Sequence, residues 1–319
     1  VGTVEWDFDD DIEYPRIAVE TKRSGLTVIE ILVVVGIIAA LVGLLLPAVH
    51  MVQKTARETK QKAQFTAIEL GLAAFKNDYG DYPPSHWFDP SGRTPGTRQD
   101  YCGAQKLAEA MLGWDLLGFH PQSAWRADGR DASGTAGTVY EDTTTTDLTN
   151  LRKRKARYVE MQTANPFRLG GTYGLFPSGT GLLNPDRYVL CDVFGVSGRK
   201  ITQSDGRVVT PGTPILYYRA NPANLIHVPT AQTQTSAAIY DIRDNVELVN
   251  LGTVGGGKEH WLTPGHFGAS APLAYFYNYI RDPRITARDW PHRPDSYILI
   301  SAGMDGIYGT DDDIRNFGQ

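Results

Sequence analysis

Lys22-Arg23-Ser24-Gly25-Leu26-Thr27-Val28-Ile29-Glu30 opens the stretch that decides the fold, and Ile31 to Val49 completes it with 19 residues free of charge. At 1.5 Å per residue those 19 residues make about 28 Å of helix, close to the thickness of one bilayer core. The chain is therefore expected to meet a membrane. Lys22 and Arg23 hold the preceding residues on the cytoplasmic side, which puts everything after residue 50 outside the cytoplasm. A carboxylate within such a segment costs roughly 2.5–3.5 kcal/mol on insertion scales, so Glu30 needs an explanation. Snorkelling to the headgroups is one; a counter-ion on a neighbouring copy is the other. Gly36, Ala40 and Gly43 place small residues on one helix face, where backbones can approach closely. Pro47 withholds a donor and crowds the carbonyl of Gly43, so a kink or a melted stretch is expected over 43–47 once helices pack together. A secretory signal fits less well, because its apolar region is usually about 7–15 residues and ends at a small-residue cleavage site.

Gly25-Leu26-Thr27-Val28-Ile29-Glu30 resembles the processing site of the type IV pilin family, which includes the type II secretion pseudopilins. In that family a membrane peptidase cuts after the Gly and the new N-terminus is methylated. The fifth mature residue is an acid and the twenty-second is often Pro. Counting from Leu26, Glu30 is the fifth and Pro47 the twenty-second. Leu26 departs from the preferred Phe, and the leader is longer and more acidic than most. The resemblance implies cleavage between Gly25 and Leu26 and pairing of Glu30 with the amine of the next subunit. It also implies polymerisation through the apolar helix, including Gly36, Gly43 and Pro47. The partners it implies are further copies of the chain, a prepilin peptidase and an inner-membrane assembly platform. The expected location is the cytoplasmic membrane, then a periplasmic or cell-surface filament. A secretion piston and a surface fibre both stay open. So does a membrane-tethered binding module that keeps its N-terminus and never polymerises.

Four regions follow: a leader over 1–25, an apolar helix over 26–50, an amphipathic continuation over 51–80 and a head over 81–319. Phe65, Ile68, Leu72, Phe75 and Tyr79 recur at spacings of 3, 4, 3 and 4, which predicts one buried helix face. Lys54, Arg57, Lys60, Lys62 and Lys76 lie off that face. Asn77-Asp78-Tyr79-Gly80 stops the helix and Asp81-Tyr82-Pro83-Pro84 leads away. Ile68 through Pro83 also resembles the major secretion pseudopilin. A short helix is expected within 104–117, loops over 85–100 and 126–147, and strands over 187–193, 215–219, 238–242, 273–279 and 296–301. Helix first and strands later predicts an α+β fold, with an antiparallel sheet laid on the long helix.

Of the net charge of −5, −4 comes from the leader. Seven of the 36 acids and three of the 31 bases fall in residues 1–25, leaving 29 acids and 28 bases. Near-neutrality gives no support to nucleic-acid binding. Outside the cytoplasm, Cys102 and Cys191 are expected to form one disulfide, with two buried thiols as the alternative.

Asp305, Asp311, Asp312 and Asp313 crowd a Gly-rich loop of hard oxygen donors, which suits calcium; a solvated acidic turn is the alternative. The spacing is not that of an EF-hand. The loop resembles the C-terminal calcium loop of the major pseudopilin. That likeness implies direct binding by Asp305 and by Asp312 or Asp313, with carbonyls near Ser301 and Thr310. Gly252 to Glu259 nearly fits a phosphate loop, but Glu259 stands where Ser or Thr should reach magnesium, so a turn is expected. Arg152 to Arg157 reads as a solvated basic face. No catalytic motif emerges, and a structural rather than enzymatic role is expected.

Overall fold

In the computed structural model of the chain, described for residues 25, 27–87, 100–133, 139–140, 148–195, 200–203, 206–229, 236–256, 258–263 and 272–318, the fold is α+β. Leader residues 1–24, Leu26 and most of the expected 85–100 loop lie outside these ranges. The chain divides into two units, residues 1–53 and 54–319. The long helix α1, Val28–Tyr79, contributes to both and runs unbroken through Pro47.

In the first unit, every described residue from Thr27 to Gln53 is exposed. The most apolar 18-residue window of α1 has a mean hydropathy of 3.0 and no buried side chain. Length, composition and exposure make this segment compatible with a membrane anchor.

In the second unit, the 3–4 spacing does what it predicts. Phe65, Ile68, Leu72 and Phe75 are buried, while the basic positions of α1 face solvent. Each such side chain contributes about 1.5–3 kcal/mol by leaving water. Gly71 lets the helix press in: a Cβ there would lie 2.8 Å from both Met111 Sδ and Val159 Cγ2. Gly80 ends the helix at φ +84°, donating its N–H to the Lys76 carbonyl at 2.7 Å. Two buried glutamines, absent from the sequence expectation, fasten α1 to the head. Gln61 Oε1 accepts from the Val193 N–H at 2.9 Å. Gln64 Nε2 donates to the Thr163 and Cys191 carbonyls at 2.8 and 2.9 Å.

Helix α2, Gly103–Leu112, is buried along its whole length. It stops five residues short of the expected limit, because Gly113 takes φ +87° and donates to the Glu109 carbonyl at 2.8 Å. Short helices α3, Thr149–Lys153, and α4, Met161–Ala164, precede an antiparallel pair, β1 (Pro166–Arg168) with β2 (Tyr188–Leu190). A second pair joins β3, Ile201–Thr202, to β4, Val208–Val209. The central sheet orders β5 (Leu216–Arg219), β6 (Tyr297–Ser301) and β7 (Ile314–Arg315), all antiparallel. Its strands alternate as strands must. Tyr217, Tyr297 and Leu299 pack with α1 and α2. Leu216, Tyr218, Ile298 and Ile300 pack with α5 (Arg243–Asn250) and α6 (Pro272–Tyr279).

Two expected strands are corrected. Residues 273–279 form helix α6, opened by Pro272, whose missing N–H costs nothing in a first turn. Phe276 and Ile280 are buried four residues apart, which is a helical spacing that the aromatic-rich composition concealed. Residues 238–242 contribute only an isolated bridge from Ala238 to Ile226. The chain then bends into α5, with Asp241 Oδ1 accepting from the Arg243 N–H at 3.0 Å.

Candidate functional site

The first candidate is the N-terminal end of α1. Thr27 stands just before the helix and Glu30 is its third residue. Glu30 Oε2 accepts from the Thr27 N–H and from Thr27 Oγ1, both at 2.8 Å. The Glu30 N–H donates back to Thr27 Oγ1 at 3.3 Å. This reciprocal arrangement is a capping box, which supplies partners for donors that the first turn leaves unmet. Its signature, Thr-x-x-Glu before an apolar run, is present in the sequence and was not among the expectations above. Glu30 therefore has a local role within one chain, and both bonds of its carboxylate to Thr27 fall on Oε2.

Gly25 precedes this end, and an added Cβ there meets nothing within 4 Å. The same holds for Gly36 and Gly43, in contrast to the crowding around Gly71. Nothing in the chain's own packing asks for glycine at 36 or 43. α1 is continuous helix across 43–47 in the single chain, with no melted stretch there.

The second candidate is the acidic loop after β6. Asp312 Oδ2 accepts from the backbone N–H groups of Met304 and Asp305 at 2.8 and 3.1 Å, and Thr310 Oγ1 donates to Asp312 Oδ1 at 2.6 Å. Asp305 Oδ1 accepts from the Ile307 N–H at 2.7 Å. Asp313 Oδ2 accepts from the Gly309 N–H at 2.8 Å and from the Tyr279 hydroxyl. Backbone amides thus take up much of the charge. Burial raises the Asp305 carboxyl above its ordinary value, against the Ile307 N–H bond and with help from Asp312. Burial also pushes Asp313 up to about 7, opposed by Tyr279 and Gly309 and reinforced by Asp312 and Asp305. Asp311 is exposed. The Ser301 hydroxyl donates to Asp192 Oδ2 at 3.0 Å and accepts from the Gly303 N–H at 3.4 Å.

The loop fits a divalent cation in part. Asp313 Oδ1 is buried with no hydrogen-bond partner, the kind of orphaned oxygen that a cation satisfies. Yet among the described residues no three His, Cys, Asp or Glu side chains converge as metal ligands. Asp305 and Asp312 are committed to amides instead.

The expected disulfide is not formed. Cys102 and Cys191 are both buried free thiols within the same apolar cluster. Burial pushes Cys102 up to about 12 and raises Cys191 as well, so both are inert neutral side chains at neutral pH. The basic run is also corrected in part. Arg154 is buried, not solvated, pairing with Asp115 at 2.6 Å. Lys155 stands 3.5 Å from Asp78. Around Gly252 to Glu259 the Thr253 N–H closes a turn onto the Lys258 carbonyl at 3.0 Å, and no helix starts at Lys258.

A polar cleft of about 510 Å³ lies beside Ser85 and Trp87. Its charges are spent locally: Arg243 pairs with Asp241 at 2.6 Å, Arg219 with Asp81, and Asp244 accepts from Ser85. A buried polar centre on α2 was not among the expectations. There Glu109 accepts from Tyr101, Tyr140 and Ser123 hydroxyls at 2.6, 2.7 and 2.5 Å.

No family model, no curated protein and no solved structure matches the chain.

Proposed function

We propose that the chain is a structural subunit of a pilus or pseudopilus filament, cut after Gly25 and assembled through the apolar half of α1. One observation carries this reading: an apolar segment of membrane length in α1, exposed at every described residue from Thr27 to Gln53, with Gly25 ahead of it and an acid at Glu30. Such a surface needs either lipid or other helices. Close helix packing at Gly36 and Gly43 exchanges one for the other. In this reading residues 54–319 lie outside the cytoplasm, and Glu30 meets the new Leu26 amine of a neighbour through Oε1, while Oε2 keeps its bonds to Thr27. Mass spectrometry of the mature N-terminus tests it. A methylated Leu26, with filaments in electron micrographs, is the expected result; an intact leader on a membrane-bound, monomeric protein sinks it.

The capping box favours a second reading, because it gives Glu30 a role that needs no neighbour. Under it the chain is a membrane-anchored binding module that keeps residues 1–25 and does not polymerise. The same measurement separates the two.

Calcium at the acidic loop is a further part of the proposal, supported by Asp313 Oδ1 and by the mutual repulsion of Asp305, Asp312 and Asp313. Bound calcium would supply charge compensation and tie the loop to β6. We expect millimolar calcium to raise the melting temperature of the full chain in detergent by several degrees, an effect lost in Asp313→Asn. An unchanged melting temperature removes calcium from the description and leaves the filament reading intact.

A further inference from the structure

A cleft of about 280 Å³ opens between the C-terminal end of α1 and the loop that follows α2. All of its residues belong to the second unit. Phe75 and Phe119 are buried in its floor, and Tyr79, Tyr82 and Trp125, each half-buried, wall it. Ser123, Asp81 and Arg219 supply its polar part. We propose that this cleft is a binding site for a neutral pyranose ring, one sugar unit of a saccharide.

Trp125 is held in place by force. Its φ is +57°, a left-handed backbone that a bulky side chain rarely takes. Such strain persists only where neighbours impose it. Here the Trp125 N–H donates to Ser123 Oγ at 3.1 Å, and the Ser123 hydroxyl donates to Glu109 Oε1 at 2.5 Å. The buried carboxylate thus anchors the bend that brings the indole to the cleft. Phe119 stacks against the indole at 5.1 Å and 27°, and Phe75 stands 6.1 Å away. Among the described residues the indole N–H has no acceptor, and it is not shut away from water. A ring backed by a second ring, with a donor on its edge, suits a ligand that is apolar on one face and hydroxylated around its rim. A pyranose has that form: its C–H groups meet the negative face of the ring and its hydroxyls meet the polar groups beside it.

The charges select a neutral ligand. Asp81 and Arg219 are the charged residues of the lining, and they pair with each other. An anion or a cation would have to part them. Aromatic walls also hold quaternary ammonium groups, but Lys76 Nζ already stands 4.3 Å from the centre of the Tyr82 ring and would repel one. The ion pair still sets an acceptor beside donors. Asp81 Oδ1 accepts from the Tyr82 N–H at 2.7 Å and Oδ2 accepts from one N–H of Arg219. Each carboxylate oxygen has a further lone pair and the guanidinium has further N–H groups. Neighbouring hydroxyls, each a donor and an acceptor, match both. A proline-rich peptide, the other common occupant of an aromatic groove, presents carbonyl acceptors that the Asp81 carboxylate would oppose. The volume suits one ring, since drug-sized ligands occupy about 300–1,000 Å³. The inference does not depend on polymerisation.

Saturation-transfer NMR on the full chain in zwitterionic detergent tests the site. The probes are methyl β-D-glucopyranoside, methyl β-D-galactopyranoside and methyl α-D-mannopyranoside, with choline and decaproline for comparison. At least one glycoside is expected to bind with a dissociation constant of about 1–10 mM, with transfer strongest to the C–H protons of one ring face. Trp125→Ala should weaken binding about tenfold, as loss of an aromatic anchor does. Asp81→Ala, at an exposed position, should weaken it about fivefold at an unchanged melting temperature, which keeps the test decisive if Trp125→Ala does not fold. Tyr173→Ala, which removes an exposed ring outside the cleft, should have no effect. Failure of all three glycosides overturns the site, as does tighter binding of choline or decaproline. Unaltered glycoside binding in the folded Asp81→Ala protein overturns it too.

Discussion

If the chain is a filament subunit, cells producing Glu30→Ala protein are expected to cleave it normally after Gly25 and to yield at least tenfold fewer filaments. The complication is the capping box: alanine removes both the charge and the bonds to Thr27, and a lost cap alone costs about 1 kcal/mol. Glu30→Gln separates the two roles. Glutamine serves a capping box as glutamate does, so helix initiation is kept while the counter-ion for the Leu26 amine is lost. If pairing across subunits is the function, Glu30→Gln fails to assemble as completely as Glu30→Ala. If capping is the whole role, Glu30→Gln assembles normally. Counting filaments in electron micrographs, alongside immunoblots of processed protein, decides between them.

The largest effect on stability is expected at Glu109. Its carboxylate holds three hydroxyls in a buried centre. Burial raises its pKa, and the bonds from Ser123, Tyr101 and Tyr140 oppose the rise. In Glu109→Ala those hydroxyls lose their acceptor while the apolar surroundings stay closed around them. Breaking a buried polar cluster from one side costs about 3–5 kcal/mol. For a head of this size that is a fall of roughly 10 °C in melting temperature. Near-ultraviolet circular dichroism of the full chain during heating provides the measurement. A fall of less than about 2 °C would mean that water or rearranged neighbours replace the carboxylate.

How far the sequence could be read depends on whether a signal is local. The apolar run and the 3–4 stripe of α1 are local, and together they give the observed helix within two residues. The stop at Gly80 is local too. β5 and β6 were placed within a residue because each is a short, bounded run of β-branched and aromatic side chains. The same composition misled at 273–279, where propensity outweighed the spacing of Phe276 and Ile280. Other features depend on partners distant in the chain. Gln61 and Gln64 look like ordinary polar helix positions until Val193 and Cys191 arrive beside them. Arg154 looks solvated until Asp115 meets it. Glu109 sits on an apolar helix with its donors 8, 14 and 31 residues away. At the candidate sites, Gly25, Glu30 and the acids of the C-terminal loop were legible as residues, whereas the capping bonds and the orphaned Asp313 oxygen required geometry.

The place of β6 in the sheet has a consequence for the order of events during synthesis. It is the middle strand, bonded to β5 on one edge and β7 on the other, and all five of its residues are buried. The strand that closes both cores is therefore among the last parts of residues 54–319 to be synthesised. Until residue 301 has been synthesised, β5 lacks its β6 partner, and both apolar layers remain open to chaperones, proteases and other unfinished copies. An arrest of synthesis anywhere before Tyr297 should leave a half-built head that is degraded rather than stored.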